Sequence, residues 1–461
     1  MKRPIIFGLL LVLLLSGLGC RGGSKEARDA LLSPVKLTWW GVFEDGSNYQ
    51  KVISAYTALH PNISVSYRRF RSEEYEAALV RAFAEGRGPD IFSVHHTSLA
   101  KFQSLAQPMP GSVKAVYLEE QGRLKKEIVP VVREEATPSI RQMRDQFVDV
   151  VIDDVVRPYQ SRPGGPTENR VWALPFSVDT MALYYNRDLL NAAGIAEPPT
   201  DWRAFQEAVK DLTRIDTDGN ILQSGGGIGT ARNVERSTDL LAAIMMQNGT
   251  QMRASGSSQA TFANVAPGGS TEDIPALDAI RFYTDFANPL KEVYTWNDAR
   301  PSSFEAFANG TSAFFFGYSY HRAAIRARNP KLDVGVTKLP QIEGGRVVNV
   351  ANYWVETVAK STKSADAAWG FLAFATNKDH VGAYLKDANR PTALRSLIDS
   401  QLENEGLSPF ASQVLTAQSW YRGRNVKSAE EALMDLIEGA LVAEDPYTEL
   451  RVAQNKVNQT L

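Results

Sequence analysis

The chain holds 461 residues, 44% hydrophobic and 22% charged, which is enough apolar material for two cores of ordinary size and excludes disordered and fibrous classes. Its 50 Lys and Arg against 52 Asp and Glu leave a net charge of -2 with no basic stripe, so nothing points to nucleic acid. The sole cysteine, Cys20, cannot form an intramolecular disulfide.

At the N-terminus Lys2 and Arg3 precede an apolar run over 5–18, followed by Gly19 and Cys20. The run has the length of a signal-peptide core and is short for a membrane span. A cysteine directly after such a core resembles the cleavage site of bacterial lipoproteins. That resemblance implies an acylated Cys20 and a membrane anchor outside the cytoplasm. Residues 21–34 are small, charged and aperiodic, and are expected to form a tether.

The folded body opens as strand (35–40), helix (48–59), strand (62–70), a helix capped by Ser72 and ended by Gly86, and a third strand in GRGPDIFSVHH. This alternation predicts a parallel sheet covered by helices, with ligand near the loops 41–47 and 94–98 that follow its strands. From 108 to 169 two or three amphipathic helices and a polar SRPGGPTEN loop are expected. ALPFSV and MALYYN then form two strand-length apolar runs split by one charge, Asp179. A short helix ends at Gly194, and the PPT turn leads to a helix with Thr200 as N-cap and Trp202, Phe205, Val209 and Leu212 on one face.

DTDGN at 216–220 lacks the later glycine and glutamate of a calcium loop and reads as a polar turn. SGGGIGT lacks the spacing of a nucleotide loop and reads as a flexible turn before a helix over 238–247. Residues 251–271 are Gly- and Ser-rich and are expected to be an exposed loop, and 273–286 to be helical with Pro275 in the first turn. FEAFANG predicts a helix, SAFFFGYSYHRA a strand ending in aromatics, VGVTKLP and YWVETVAKST strands, and SADAAWGFLAFAT a helix capped by Ser364.

Leu174-Pro175, Asp179, Tyr185-Asn186-Arg187-Asp188-Leu189, Gly194, Pro199-Thr200 and Trp202 resemble the lobe-crossing segment of the maltose-binding-protein-like solute-binding lipoproteins that serve sugar ABC importers. Trp39, His60-Pro61, Val65 and Pro89-Asp90 match that family's opening, and Tyr320 stands where its final aromatic stacks on sugar. The resemblance implies an α/β, two-lobed periplasmic-binding-protein fold of type II. Each lobe would be a mostly parallel sheet flanked by helices, with three hinge crossings near Asp179, Val350 and Arg390. The first lobe would comprise 35–178 and 352–389, and the second 179–351 and 390–461. Also implied are a monomeric receptor in the periplasm or on the cell surface, a small carbohydrate ligand and an ABC permease as partner. No cofactor and no reaction are implied.

Catalytic patterns fail. His95 and His96 are adjacent on a strand, so they point to opposite faces and cannot share a metal. Gly317-Tyr318-Ser319-Tyr320-His321 lacks the last glycine of a nucleophile elbow. A sugar asks for carboxylates and amides around its hydroxyl rim and aromatic rings on its C–H faces. The candidates of those types are Trp40, Glu44, Asp45, His96, Asp179, Trp296, Tyr320, Asn352 and Trp354. A peptide, polyol or polyamine ligand on the same fold is the first rival reading, and a secreted glycosidase the second.

Overall fold

A computed structural model describes residues 24–122, 126–254, 259–265 and 273–461, so the apolar leader and Cys20 lie outside the described residues. In the run Val35–Val42, Leu37 and Trp39 point into the core while Lys36 and Thr38 face solvent. This strand pairs in parallel with Ile63–Phe70, from Val35↔Ile63 to Val42↔Phe70, and with Ile91–His95. Trp354–Ala359 joins antiparallel, Trp354 opposite His95, and Ala106–Gln107 closes the edge. Helices Gln50–Leu59, Ala365–Ala375 and Lys378–Ala388 bury Val52, Tyr56, Trp369, Phe371 and Tyr384 in this first core.

The second sheet runs Arg214–Ile215, Ile221–Gly226, Ser312–Gly317, Ala182–Asn186, Val334–Lys338. Only Ile221–Gly226 with Ser312–Gly317 is parallel, and the other pairs are antiparallel. The expected mostly parallel sheets are therefore mixed, and the crossings are the reason. Ala182–Asn186 and Trp354–Ala359 start at the hinge and run outward, beside strands that end there, so Ala182 meets Gly317 and Trp354 meets His95.

The crossings lie side by side as a small sheet. Asn349–Asn352 pairs antiparallel with Asp179–Thr180 and parallel with Ala417–Gln418. Two of its strands stand where expected, near Asp179 and Val350. Its third strand is Ala417–Gln418, and near Arg390 the chain joins the first crossing through the single antiparallel bridge Thr392↔Ser177. Ala393, Leu394, Ile398, Val414 and Ala417 still pack in the first core, whereas Phe410 packs with Ala182, Tyr184 and Phe315 of the second sheet, so 390–418 runs along the hinge.

Several local expectations are corrected. The segment 108–169 carries two hairpins, Ser112–Gln121 with Glu127–Ala136 and Val156–Gln160 with Thr167–Val171, around two seven-residue helices. Its Val and Ile residues favour extended backbone over the helices that their spacing implied. Part of the tether is the helix Lys25–Leu31, capped by Ser24 and packed on the first hairpin through buried Ala27. Arg71 and not Ser72 is the N-cap of Ser72–Ala84, Asp201 and not Thr200 caps Trp202–Leu212, and Ser364 holds its N-cap position without a side-chain bond. The carboxylate of Asp201 accepts the Ala204 amide at 2.8 Å, which the Thr200 side chain one residue earlier does not do.

The glycine-rich run is no flexible turn. Ile221–Gly226 is a strand, and a Cβ at Gly225, Gly227 or Gly229 would lie 2.7 Å from Val209 O, 2.4 Å from Ser303 Cβ and 2.7 Å from Ala287 N. These glycines let helices approach the sheet. In the expected exposed loop, Met252, Ala260, Phe262 and Ala263 are buried in the second core, while 255–258 and 266–272 lie outside the described residues. Asp216 accepts the amides of Asp218 and Asn220, as a polar turn requires.

Candidate functional site

The first lobe offers the ends of its strands. Just past Val42, Phe43 sits in the left-handed region at φ 65°, and its ring is 58% exposed. Its edge meets Trp354 at 5.8 Å, and Trp354 in turn packs on His95 at 5.6 Å and Tyr75 at 6.2 Å. His95 Nε2 donates to Asn352 Oδ1 at 2.9 Å, which leaves Nδ1 to accept the Thr97 hydroxyl at 2.7 Å. Burial, and then the neighbouring His96, push the His95 imidazole down to about 3, so it is neutral at physiological pH.

The second lobe answers with a helix start and a strand end. Arg236, in the left-handed region at φ 56°, is the N-cap of Ser237–Gln247, and its Nε and Nη2 grip Asp239 Oδ2 at 2.8 and 2.5 Å. A non-glycine residue held there is a strain that clusters at functional sites. Asp239 also accepts Tyr318 Oη at 2.7 Å and Trp420 Nε1 at 3.1 Å. Burial alone would raise the Asp239 carboxyl, but Arg236 and these donors hold it below the usual carboxylate range. Tyr320, 40% exposed, stacks on buried Tyr318 at 6.0 Å and leans on His321 at 4.2 Å. Asn352, the partner of His95, pairs with Asp179, and Asp179 holds Ser319 next to Tyr320, so the two half-sites flank the hinge.

Of the sequence candidates, Trp354, Asn352 and Tyr320 belong to this constellation. Asp179 stands directly behind it. Its Oδ2 accepts the Ser319 amide at 2.9 Å and hydroxyl at 2.6 Å, its Oδ1 accepts the Thr180 amide at 2.9 Å, and burial lifts it to about 6 despite these bonds. It positions the Ser319–Tyr320 loop from the hinge. Glu44 is committed to Arg390 at 2.7 Å and to Asn48 at 2.9 Å. Asp45 caps Gly46–Tyr49 through Ser47, and Trp40 packs on Phe70 under Arg68. Trp296 is fully buried, with Nε1 on Asn233 Oδ1 at 3.2 Å, and serves the second lobe's packing.

His96 is buried in a separate network. Its Nδ1 lies 3.0 Å from Asp154 Oδ2 and 2.9 Å from Ser419 Oγ, and Asp154 also accepts Tyr353, Ser419 and Arg422. Serine and aspartate meet the same ring nitrogen, so no hydrolase relay exists there, where they would need opposite nitrogens. The network instead clamps the first-lobe helix Asp149–Val155 to the crossing strand's far end.

Sequence reading passed over His95, Phe43, Arg236 and Asp239. Position at a strand end marked the first two, whereas the ion pair has no local signal beyond an arginine three residues before an aspartate. A cavity of about 340 Å³ lined by Trp202, Ile244, Asn248 and Phe282 shares no residue with this site.

The family of bacterial extracellular solute-binding proteins matches residues 40–381. A binding protein of Brucella abortus is 21% identical over 338 residues, covering 72% of this chain and 69% of its own length. Among solved structures, the cyclic α-maltosyl-1,6-maltose binding protein of Arthrobacter globiformis superposes with TM-score 0.68 at 17% identity, covering 92% of this chain and 98% of its own. The GacH receptor of Streptomyces glaucescens, solved unliganded and with acarbose, gives 0.65 at 17% identity over 92% and 99%. A Thermotoga lettingae solute-binding protein bound with α-D-tagatose gives 0.64 at 18% identity over 92% and 99%. With two cores joined by a three-stranded hinge and a family match over most of its length, this chain belongs to the bacterial extracellular solute-binding proteins.

Proposed function

We propose that the protein takes up a sugar or oligosaccharide between its lobes and presents it to an ABC importer, without chemistry on the ligand. The lobes are 35–178 with 352–389 and 179–351 with 390–461, the stretch 390–418 lining the hinge. The observation that supports this reading is the pair Phe43 and Trp354 at the strand ends of one lobe and Tyr320 on Tyr318 at a strand end of the other, rings with exposed or half-exposed faces beside polar groups held by partners of their own. Flat C–H faces suit such rings, and hydroxyls suit the Arg236–Asp239 pair and Asn352. The sugars bound by the structural relatives support the same ligand class.

The receptor acts outside the cytoplasm as a monomer anchored through Cys20, and incorporation of labelled palmitate that vanishes in Cys20→Ala is the test of the anchor. A thermal-shift screen of the chain from Arg21 onward against mono- and oligosaccharides tests the ligand class, because a ligand bound only by the folded state raises Tm. No shift with any saccharide, but one with a peptide or polyamine, would replace the sugar. Turnover of a chromogenic glycoside would replace the receptor by a glycosidase.

A further inference from the structure

Four arginines from both lobes converge beside the hinge, and among the described residues three of them lack a counter-ion. Arg157 follows the helix Asp149–Val155, where Val156 and Tyr159 pack on the first core. Arg253 follows Met252, which is buried in the second core. Arg422 and Arg424 come just after the crossing strand Ala417–Gln418. Arg422 is neutralised, with Nε on Asp154 Oδ1 at 2.5 Å and Nη2 3.6 Å from Asp153. Arg157 has only a neutral side-chain partner, Gln103 Oε1 at 3.2 Å. Among the described residues, the guanidiniums of Arg253 and Arg424 have no side-chain partner.

Arg157, Arg253 and Arg422 are half-buried and Arg424 is exposed. Burial first, and then the charges of Arg422, Arg253 and Arg424, pull the Arg157 guanidinium below its usual range, with Asp154 alone opposing. Burial and Arg422 do the same to Arg253. Arg253 pairs with Ala260, whose amide donates to Asn458, and the Arg424 amide donates to the Thr460 carbonyl, so both stand at the end of the helix Tyr447–Asn458, two residues from Arg422 on Asp153 and Asp154. Four cations against these two carboxylates leave an excess of two positive charges, 4 − 2. Like charges withdrawn from water cost free energy unless a counter-ion joins them. Guanidinium forks match the edges of a tetrahedral oxyanion, donating two hydrogen bonds at once.

We propose that Arg157, Arg253, Arg422 and Arg424 form an oxyanion site for a doubly charged tetrahedral group, phosphate or sulfate, distinct from the aromatic cleft site. Because Arg157 lies between Val156 and Tyr159 on the first core and Arg253 follows Met252 of the second, a bound anion ties the two lobes together. The two sources of such a group are the free anion and a phosphoryl group carried on a sugar.

The test is thermal unfolding and calorimetry of the wild type, Arg253→Gln and Arg424→Gln in phosphate or sulfate against chloride at matched ionic strength. Both anions also stabilise proteins non-specifically, so the variants carry the decision. The wild type is expected to melt higher in phosphate and sulfate than in chloride. In chloride both variants should melt at or above the wild type, since each removes an uncompensated cation, and both should need about tenfold more anion for the same shift. A shift with inorganic phosphate assigns the free anion, and one with glucose 6-phosphate but with neither inorganic phosphate nor glucose assigns a phosphosugar. No shift in the wild type with any of these, or equal shifts in the variants, would overturn the site.

Discussion

At the scale of single residues, Tyr320 and Glu356 make the sharpest predictions. Tyr320 touches the cleft through a ring backed by Tyr318, so Tyr320→Ala should weaken saccharide binding about tenfold to a hundredfold, roughly 1 to 3 kcal/mol, by calorimetry. Melting should fall only slightly, because the residue is 40% exposed and its ring lies outside the core clusters. Asp179→Ala would weaken binding through the loop and lower stability as well, since the Ser319 amide and hydroxyl lose their acceptor. Glu356 is a buried carboxyl with no cation beside it among the described residues, and its Oε2 accepts Trp39 Nε1 and Ser93 Oγ, both at 2.7 Å. Burial lifts it from 4.5 to about 7, so folding favours the protonated form. Its contribution is most favourable below pH 4.5 and is lost as pH rises through about 7, a swing on the order of 3 kcal/mol. Glu356→Gln keeps the acceptor without the charge. Urea titrations should find it more stable than wild type above neutral pH and flatter between these two values, and parallel curves would refute the assignment.

Legibility at this scale followed chemistry more than position. Asn352, Trp354 and Tyr320 were readable because residue type and strand end coincided. Asp45, Trp40 and Trp296 had the right type, yet a cap, a cation over a ring and a fully buried indole claimed them. Sequence offers no measure of which polar group a fold has already used.

At the scale of elements, the start of Ser237–Gln247 is held by one carboxylate serving three partners. Asp239→Ala leaves the half-buried Arg236 with only Glu430 at 3.8 Å and strips Tyr318 and Trp420 of their acceptor, and should cost about 3 kcal/mol in chemical denaturation, beyond its effect on binding. Asp239→Asn should recover part of that loss by keeping acceptors for Tyr318 and Trp420, and a wild-type-like midpoint for the alanine variant would show that the pair stores no stability. Strand and helix order in both lobes was legible from period, as Val35–Val42 and Trp202–Leu212 show. The hairpins of 112–171 were not, because valine-rich ribbons and amphipathic helices share their apolar spacing there. Strand direction was not legible either, since it depends on which strands begin at the hinge, a property of the whole path.

At the scale of the whole molecule, the two cores connect through three short strands and the clamp around Asp154, where first-lobe His96 and Asp154 meet Ser419 and Arg422. Contacts made by both lobes exist only while the lobes are together, so ligand held by both sides favours that state. The two-lobed plan was legible from the motif around Asp179, while the hinge strand Ala417–Gln418 carries no motif of its own. The measurement that bears most directly on capture between the lobes is small-angle X-ray scattering of the chain from Arg21 onward, free and with a saccharide whose saturation calorimetry has established. The account predicts a smaller radius of gyration in the bound state, and an unchanged scattering curve at saturation would contradict it.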